Sequence, residues 1–179
     1  MENNINGGRI LERLELWQET FQSGWLDTYR RTGQVDWKQY RPPINKQTIP
    51  STGIDLADSR LMLVTSSGAY LPDEQTPFNA GDPLGDYTTR TIPSTIELKN
   101  LAYAHDHYDH AAVNKDPQVL IPMEHLRDMA AKGLIGHLTD MVSFMGYQPD
   151  ATRVINETIP SILHHAGRVR ADAVLLVPS

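Results

Sequence analysis

Three imidazoles and two carboxylates fall within six consecutive residues, His105-Asp106-His107-Tyr108-Asp109-His110. Histidine titrates near neutral pH, shuttles protons and ligates metals. An aspartate beside it fixes its tautomer and raises its basicity. Such a run can protonate a leaving group, position a small polar substrate or hold a metal ion. It can equally be a solvated loop, since loops often carry function but need not. His105, His107, Asp109 and His110 are the candidate catalytic residues. The same four are the candidate metal ligands, and their N and O donors favour Zn²⁺ or Fe²⁺. Two further features could meet a substrate. The small-residue turn Ser66-Ser67-Gly68 follows an apolar run, where backbone amides can approach an anion or the chain can simply turn. Arg90 is the single arginine or lysine between Pro72 and Pro93, and a guanidinium suits a bidentate grip on a carboxylate. Its alternative is a surface ion pair with Asp82 or Asp86. Ser66, Ser67, Gly68 and Arg90 are therefore the candidate substrate-binding residues.

The elements that must position these residues are legible as apolar periodicity. Leu61-Met62-Leu63-Val64-Thr65 is a continuous apolar run, as expected of a strand covered on both faces. Ile96 to Ala104 reads as a second strand that feeds the histidines, since strand ends opening into loops are where α/β folds place their chemistry. Met141 to Tyr147 and Ala173 to Val177 read as two more. Pro122 to Lys132 reads as a helix with Gly133 as its cap. Another helix starts at Ala151 behind the N-cap Asp150, and Pro160 should kink or split it. The pattern predicts an α/β fold with a mainly parallel sheet and flanking helices over residues 55–179. It is preceded, over residues 1–54, by an amphipathic helix (Arg9 to Tyr29) and an extended arm. The stripe Ile10, Leu14, Trp17, Phe21 and Trp25 reads as a docking face, for its own domain or a second subunit, and burying Trp17, Phe21 and Trp25 is expected to take a partner surface, hence a homo-oligomer. The run Ala173 to Val177 is expected in the centre of the sheet, its carboxyl end opening on the crevice of His105 to His110.

Composition narrows the classes. The chain has 179 residues, 40% hydrophobic, with a formal charge of −6. It carries no basic block of the kind that binds nucleic acid. No apolar run reaches the roughly 18 residues of a membrane span. The N-terminus lacks the charged start and apolar core of a secretory signal, so the cytoplasm is the expected compartment. There is no cysteine, which removes disulfides, thiolate metal sites and cysteine nucleophiles from these residues.

Two resemblances bear on the cluster. His105, His107, Asp109 and His110 match the H-x-H-x-D-H spacing of metallo-β-lactamase-like hydrolases, in which paired metals activate water. Here Ala111-Ala112-Val113 stands where that motif usually has a Gly-rich turn, and the further downstream metal ligands of that fold have few candidates.

The second resemblance covers about residues 60–179. Leu63 to Ala69; Phe78, Gly81-Asp82, Asp86-Tyr87, Arg90 and Ile92-Pro93; His105 to Asp109; Leu120 to Arg127 with Gly133 to Gly136; Ser143 to Gly146; and Ala171 to Pro178 follow in an order that resembles the selenoprotein B family of glycine, sarcosine, betaine and D-proline reductases. The resemblance implies an oxidoreductase subunit in which a selenocysteine or cysteine attacks a small amino-acid-like substrate. A C–N bond is then broken, and a dithiol, from a thioredoxin-like reductant, restores the enzyme. It places the nucleophile just after the strand matching Ala173 to Pro178, hence beyond Ser179, so the gene is expected to continue there into a Cys- or selenocysteine-containing segment. The separate pyruvoyl-bearing subunit of the amino-acid reductases has no counterpart here. Three readings stand: reductase subunit, metal-dependent hydrolase, and non-catalytic binding or scaffold subunit docking through its aromatic helix.

Overall fold

The computed structural model describes residues 11–45, 53–105, 108 and 110–179. In chain order its elements are α1 (Leu14–Phe21), continuing through a π turn, Gln22–Leu26, into α2 (Asp27–Thr32); β1 (Arg60–Thr65); β2 (Ala69–Tyr70); β3 (Thr89–Ile92); β4 (Ala102–Tyr103); α3 (His110–Lys115); α4 (Met123–Ala131); β5 (His137–Leu138); β6 (Met141–Phe144); α5 (Ala151–Arg153), continuing through a second π turn, Val154–Thr158, into α6 (Ile159–Val169); and β7 (Ala173–Val177).

The main sheet is built on β1, whose three neighbours all run parallel to it. Leu61 partners both Leu138 and Ala173, and Val64 both Val142 and Leu176, so β5 and β6 lie in line along one side of β1 and β7 along the other. β3 adds an antiparallel strand outside β6. A small second sheet pairs β2 with β4. The apolar run of β1 follows from its two covered faces. Leu61 and Leu63 pack with Ile92 and Met141 beneath Met123 and Leu126 of α4. Met62, Val64 and Val142 pack beneath Ile162, Ala166 and Val169 of α6. A mainly parallel sheet buried in this way is the expected α/β architecture.

Local sequence accounts for the helix ends. Asp150 accepts hydrogen bonds from the amides of Thr152 (2.9 Å) and Arg153 (3.3 Å), satisfying donors the helix leaves open. Gly133, at φ 71°, closes α4, with Leu134 N–H donating to Met129 O at 2.9 Å. Pro160 sits at the start of α6, directly after the π turn. The wider turn takes up the proline's missing N–H, and the helix runs on.

Three expectations need correction. The run Ile96 to Ala104 is not a strand of the main sheet. It holds a 3₁₀ turn, Leu98–Asn100, and then the two-residue β4. The guanidinium of Arg127 takes the carbonyls of Ser94 (2.7 Å) and Ile96, and Leu98 enters the core without strand pairing. The strand that does join the sheet there is β3, four residues just before Pro93 to which the apolar periodicity assigned no element. Part of the aromatic stripe is also covered without a partner, while Leu14 and Trp17 are half-buried and Ile10 lies outside the described residues. Phe21 and Trp25 are buried against Val35, Tyr40 and Leu84 of the same chain. Tyr40 Oη donates to Pro149 O at 3.0 Å, and Trp37 meets Tyr147 edge-on at 5.7 Å. Burial of Phe21 and Trp25 therefore takes no second subunit. Finally, among the described residues β7 pairs only with β1 and lies at the edge of the sheet.

α6 also buries His165, which is 4% exposed. Burial is the main cause holding its pKa below the ordinary value, and Arg168 and His164 push the same way against the pull of Asp140. The neutral ring is therefore favoured in the fold, while the unfolded chain takes up a proton below about pH 6.5. Stability from this group is complete above that value and falls as the medium is acidified toward the folded pKa. Between about pH 7 and about pH 5, the melting temperature should fall more steeply for the parent chain than for His165→Leu. Parallel thermal-melt profiles of the two would contradict this.

Candidate functional site

The site forms where the carboxyl ends of β1, β6 and β7 meet the chain leaving β4. Each strand ends in a small residue there: Ser66 after β1, Gly146 two residues after β6, Ser179 two residues after β7. Gly68 joins them. Its N–H donates to Phe144 O at 2.9 Å and its carbonyl accepts from Ala104 N–H at 3.0 Å. It has φ 66°, and a Cβ there would lie 2.7 Å from Met145 Sδ and 3.1 Å from the His105 backbone N. Glycine is required on both counts, and the close approach seats His105 under the turn.

His105 is 8% exposed. Its Nε2 faces Gly146: a Cβ on that glycine would be 3.4 Å from His105 Nε2, Ser179 Oγ and Ser66 O alike. The imidazole and the end of β7 thus flank one glycine. Ser66 and Ser179 form a closed clasp. Ser179 N–H donates to Ser66 Oγ at 2.8 Å, Ser179 Oγ donates to Ser66 O at 2.9 Å, and the two hydroxyls are 3.0 Å apart. Ser66 N–H also donates to Val177 O at 3.2 Å.

Tyr108 lies between two histidines, its ring 5.1 Å from that of His105 and 4.9 Å from that of His110. Its hydroxyl donates to Ser67 O at 3.0 Å. His110 Nε2 lies 2.8 Å from the His105 carbonyl. A carbonyl only accepts, so this nitrogen carries the hydrogen, and His110 pins the backbone of His105 with it. Burial raises the phenol of Tyr103 to about 12, and burial together with nearby Tyr103 raises that of Tyr108. Both phenols stay neutral near pH 7, where they are donors rather than bases.

The turn amides are engaged within the fold: Ser67 N–H donates to Thr65 Oγ1 at 3.2 Å, and those of Ser66 and Gly68 go to Val177 and Phe144. The turn carbonyls are engaged as well, that of Ser66 by Ser179, that of Ser67 by Tyr108 and that of Gly68 by Ala104. Ser67 and Ser143 are 0% exposed, and among the described residues their hydroxyls have no hydrogen-bond partner. Arg90 pairs with Ser143 in the sheet, but its guanidinium turns to the preceding segment. Nε donates to Thr76 O (3.0 Å), Nη1 to Thr88 Oγ1 (2.9 Å) and Thr89 O (3.0 Å), and the group stacks 4.3 Å from the centre of Phe78.

Of the predicted catalytic residues, the structure thus brings together His105 and His110 at the Ser66-Ser67-Gly68 turn. His107, Asp109 and the intervening Asp106 lie outside the described residues. Among the described residues no three histidine or acidic side chains gather as a metal set. Gly146 and Tyr108 were not singled out as site residues from the sequence. A glycine just past an apolar strand is the signal that could have marked Gly146.

A family model described as glycine/sarcosine/betaine reductase selenoprotein B matches residues 38–174. The D-proline reductase subunit gamma of Acetoanaerobium sticklandii is 32% identical over 123 residues, covering 68% of this chain and 49% of that protein. The sarcosine reductase complex component B subunit beta of Peptoclostridium acidaminophilum is 26% identical over 105 residues, covering 57% of this chain and 24% of that protein. The chain therefore spans about half the length of the first relative and about a quarter of the second. No solved structure matches. Among the described residues no helix is long and apolar enough to cross a membrane.

Proposed function

Because the chain belongs to the glycine/sarcosine/betaine reductase selenoprotein B family, we propose that it is a subunit of a reductase that cleaves a C–N bond in a small amino-acid-like substrate. The observation that carries this is the approach of His105 Nε2 and the end of β7 to Gly146. The chain has no cysteine, so in this reading the thiolate or selenolate comes from outside residues 1–179 and enters beside Ser179. A C–S or C–Se bond forms as the C–N bond breaks. The leaving nitrogen takes the electron pair, and a proton from His105. Two electrons from a dithiol then break the new bond, the carbon takes a proton, and the dithiol ends as a disulfide. A thioredoxin-like protein is the proposed source of that dithiol.

His110 and Tyr108 hold His105 in place, and His107 and Asp109 complete the polar run. The Ser66 hydroxyl, once released by Ser179, supplies a substrate contact at the turn that Gly68 makes possible, and the buried Ser67 shapes that turn. Arg90 fixes the Thr76 to Thr89 segment.

The test replaces the matched stretch of the D-proline reductase subunit gamma with the corresponding residues of this chain, within the complete reductase. Dithiol-dependent C–N cleavage of at least one of four substrates is expected, read as ring opening of D-proline to a 5-aminopentanoate or as release of the amine from sarcosine, betaine or glycine, and the 179-residue chain alone with dithiothreitol should cleave none. An assembled chimaera that reduces none of the four, or turnover by the chain alone, would overturn the proposal.

A further inference from the structure

Among the described residues the outer edge of β7 is bare, in a way that specifies what should cover it. Val177 O accepts from Ser66 N–H, so Val177, Leu175 and Ala173 turn their backbone groups toward β1. By strand alternation, Val174 and Leu176 turn theirs outward. These same two residues are 45% and 70% exposed. They lie in register with Met62 and Val64, hence on the α6 face of the sheet. The strand carries no lysine, proline or other device that blunts an edge.

α6 presents a matching flank. Ile162 packs on the sheet. Its neighbours in sequence project about 100° to either side of it. Ser161 Oγ meets Thr89 Oγ1 of β3 at 2.7 Å, so that flank looks toward the far edge. Leu163 therefore projects from the β7 flank, where it is 46% exposed. One turn on, Gly167 has open space around it. Val174 and Leu176 of the strand and Leu163 and Gly167 of the helix thus share one exposed flank, and the space between strand and helix there is the slot a further element would fill.

The winding of the sheet identifies the occupant. From β1 to β6 the chain steps one way across the sheet, with α4 on the Leu61 and Leu63 face. From β6 to β7 it steps the other way, with α6 on the opposite face. Both follow the right-handed rule for parallel crossovers. One more step outward from β7 must place its helix on the α6 face, over Val174 and Leu176. A second copy of this chain paired edge to edge would not do this. Its α6 would lie over its own β1 and β6, and the slot would stay open in both copies. We propose that β7 and the slot are the seat of one further helix–strand unit: a parallel strand beside β7 and an amphipathic helix beside α6. The unit belongs to family sequence outside residues 1–179, of the kind carried by the longer relative.

The test co-expresses the 179-residue chain with a separate polypeptide comprising the part of the Acetoanaerobium sticklandii subunit gamma that this chain does not match. The two should co-purify as a one-to-one complex. The Val174 and Leu176 amides should exchange quickly in the chain alone and at least tenfold more slowly in the complex. Leu176→Lys, at an exposed site, should leave the circular dichroism of the chain unchanged and abolish the complex. Edge amides already protected in the chain alone would assign the edge to a second copy and overturn the proposal. So would absence of a complex, or a complex indifferent to Leu176→Lys. None of these readouts uses activity, so their failure is distinct from failure of the reductase reading.

Discussion

His105→Ala is expected to lower the turnover of the assembled reductase chimaera by about two orders of magnitude or more, the range lost when a positioned proton donor is removed. The substitution should spare the local backbone. His110 binds the carbonyl of residue 105, not its ring, and Tyr108 is held independently by Ser67 O. The effect should therefore fall on kcat with little change in KM, and added imidazole should restore part of the rate. A variant within a few-fold of the parent would remove His105 from the chemistry and leave it a packing role beside Gly146.

The largest stability effect is expected at Trp25. It is 2% exposed, with Phe21, Trp37, Tyr40 and Tyr29 at centroid distances of 5.4, 5.7, 5.9 and 6.1 Å. Truncating a buried aromatic of this size costs about 3–5 kcal/mol. Trp25→Ala should therefore shift the urea midpoint strongly and free the N-terminal helix and the arm to proteolysis. Trp25→Phe should be milder. If Trp25→Ala melts within about 0.5 kcal/mol of the parent, as an ordinary surface change would, the aromatic cluster does not bind the arm to the sheet.

Much of this architecture is legible in local sequence because its cause is local. Leu61 to Thr65 reads as a buried strand because both faces are covered. Asp150 and Gly133 mark helix ends through their own backbone bonds. What is not legible depends on distant partners. Thr89-Arg90-Thr91-Ile92 is too short to show a period, and becomes a strand only because β6 lies beside it. Ile96 to Ala104 has strand-like residues, but Arg127 has taken the carbonyls near its start. The stripe Trp17, Phe21 and Trp25 reads correctly as a docking face. That its cover is Tyr40, Val35 and Leu84 of the same chain requires the arm to fold back, which no spacing records. In the site, the histidines announce themselves by type. The glycine that seats His105 and the one its ring faces have no side chain to announce them. β7, apolar on both faces, has the composition of a central strand at an edge position.

The clasp between Ser66 and Ser179 sets a population. Its three hydroxyl contacts, at a net of about 1 kcal/mol each, amount to roughly 3 kcal/mol. On that scale the open form is on the order of one molecule in a hundred or fewer. For a solute that meets His105 only in the open form, apparent affinity is reduced by the same fraction, and weakening the clasp would raise it without adding a single contact to the solute.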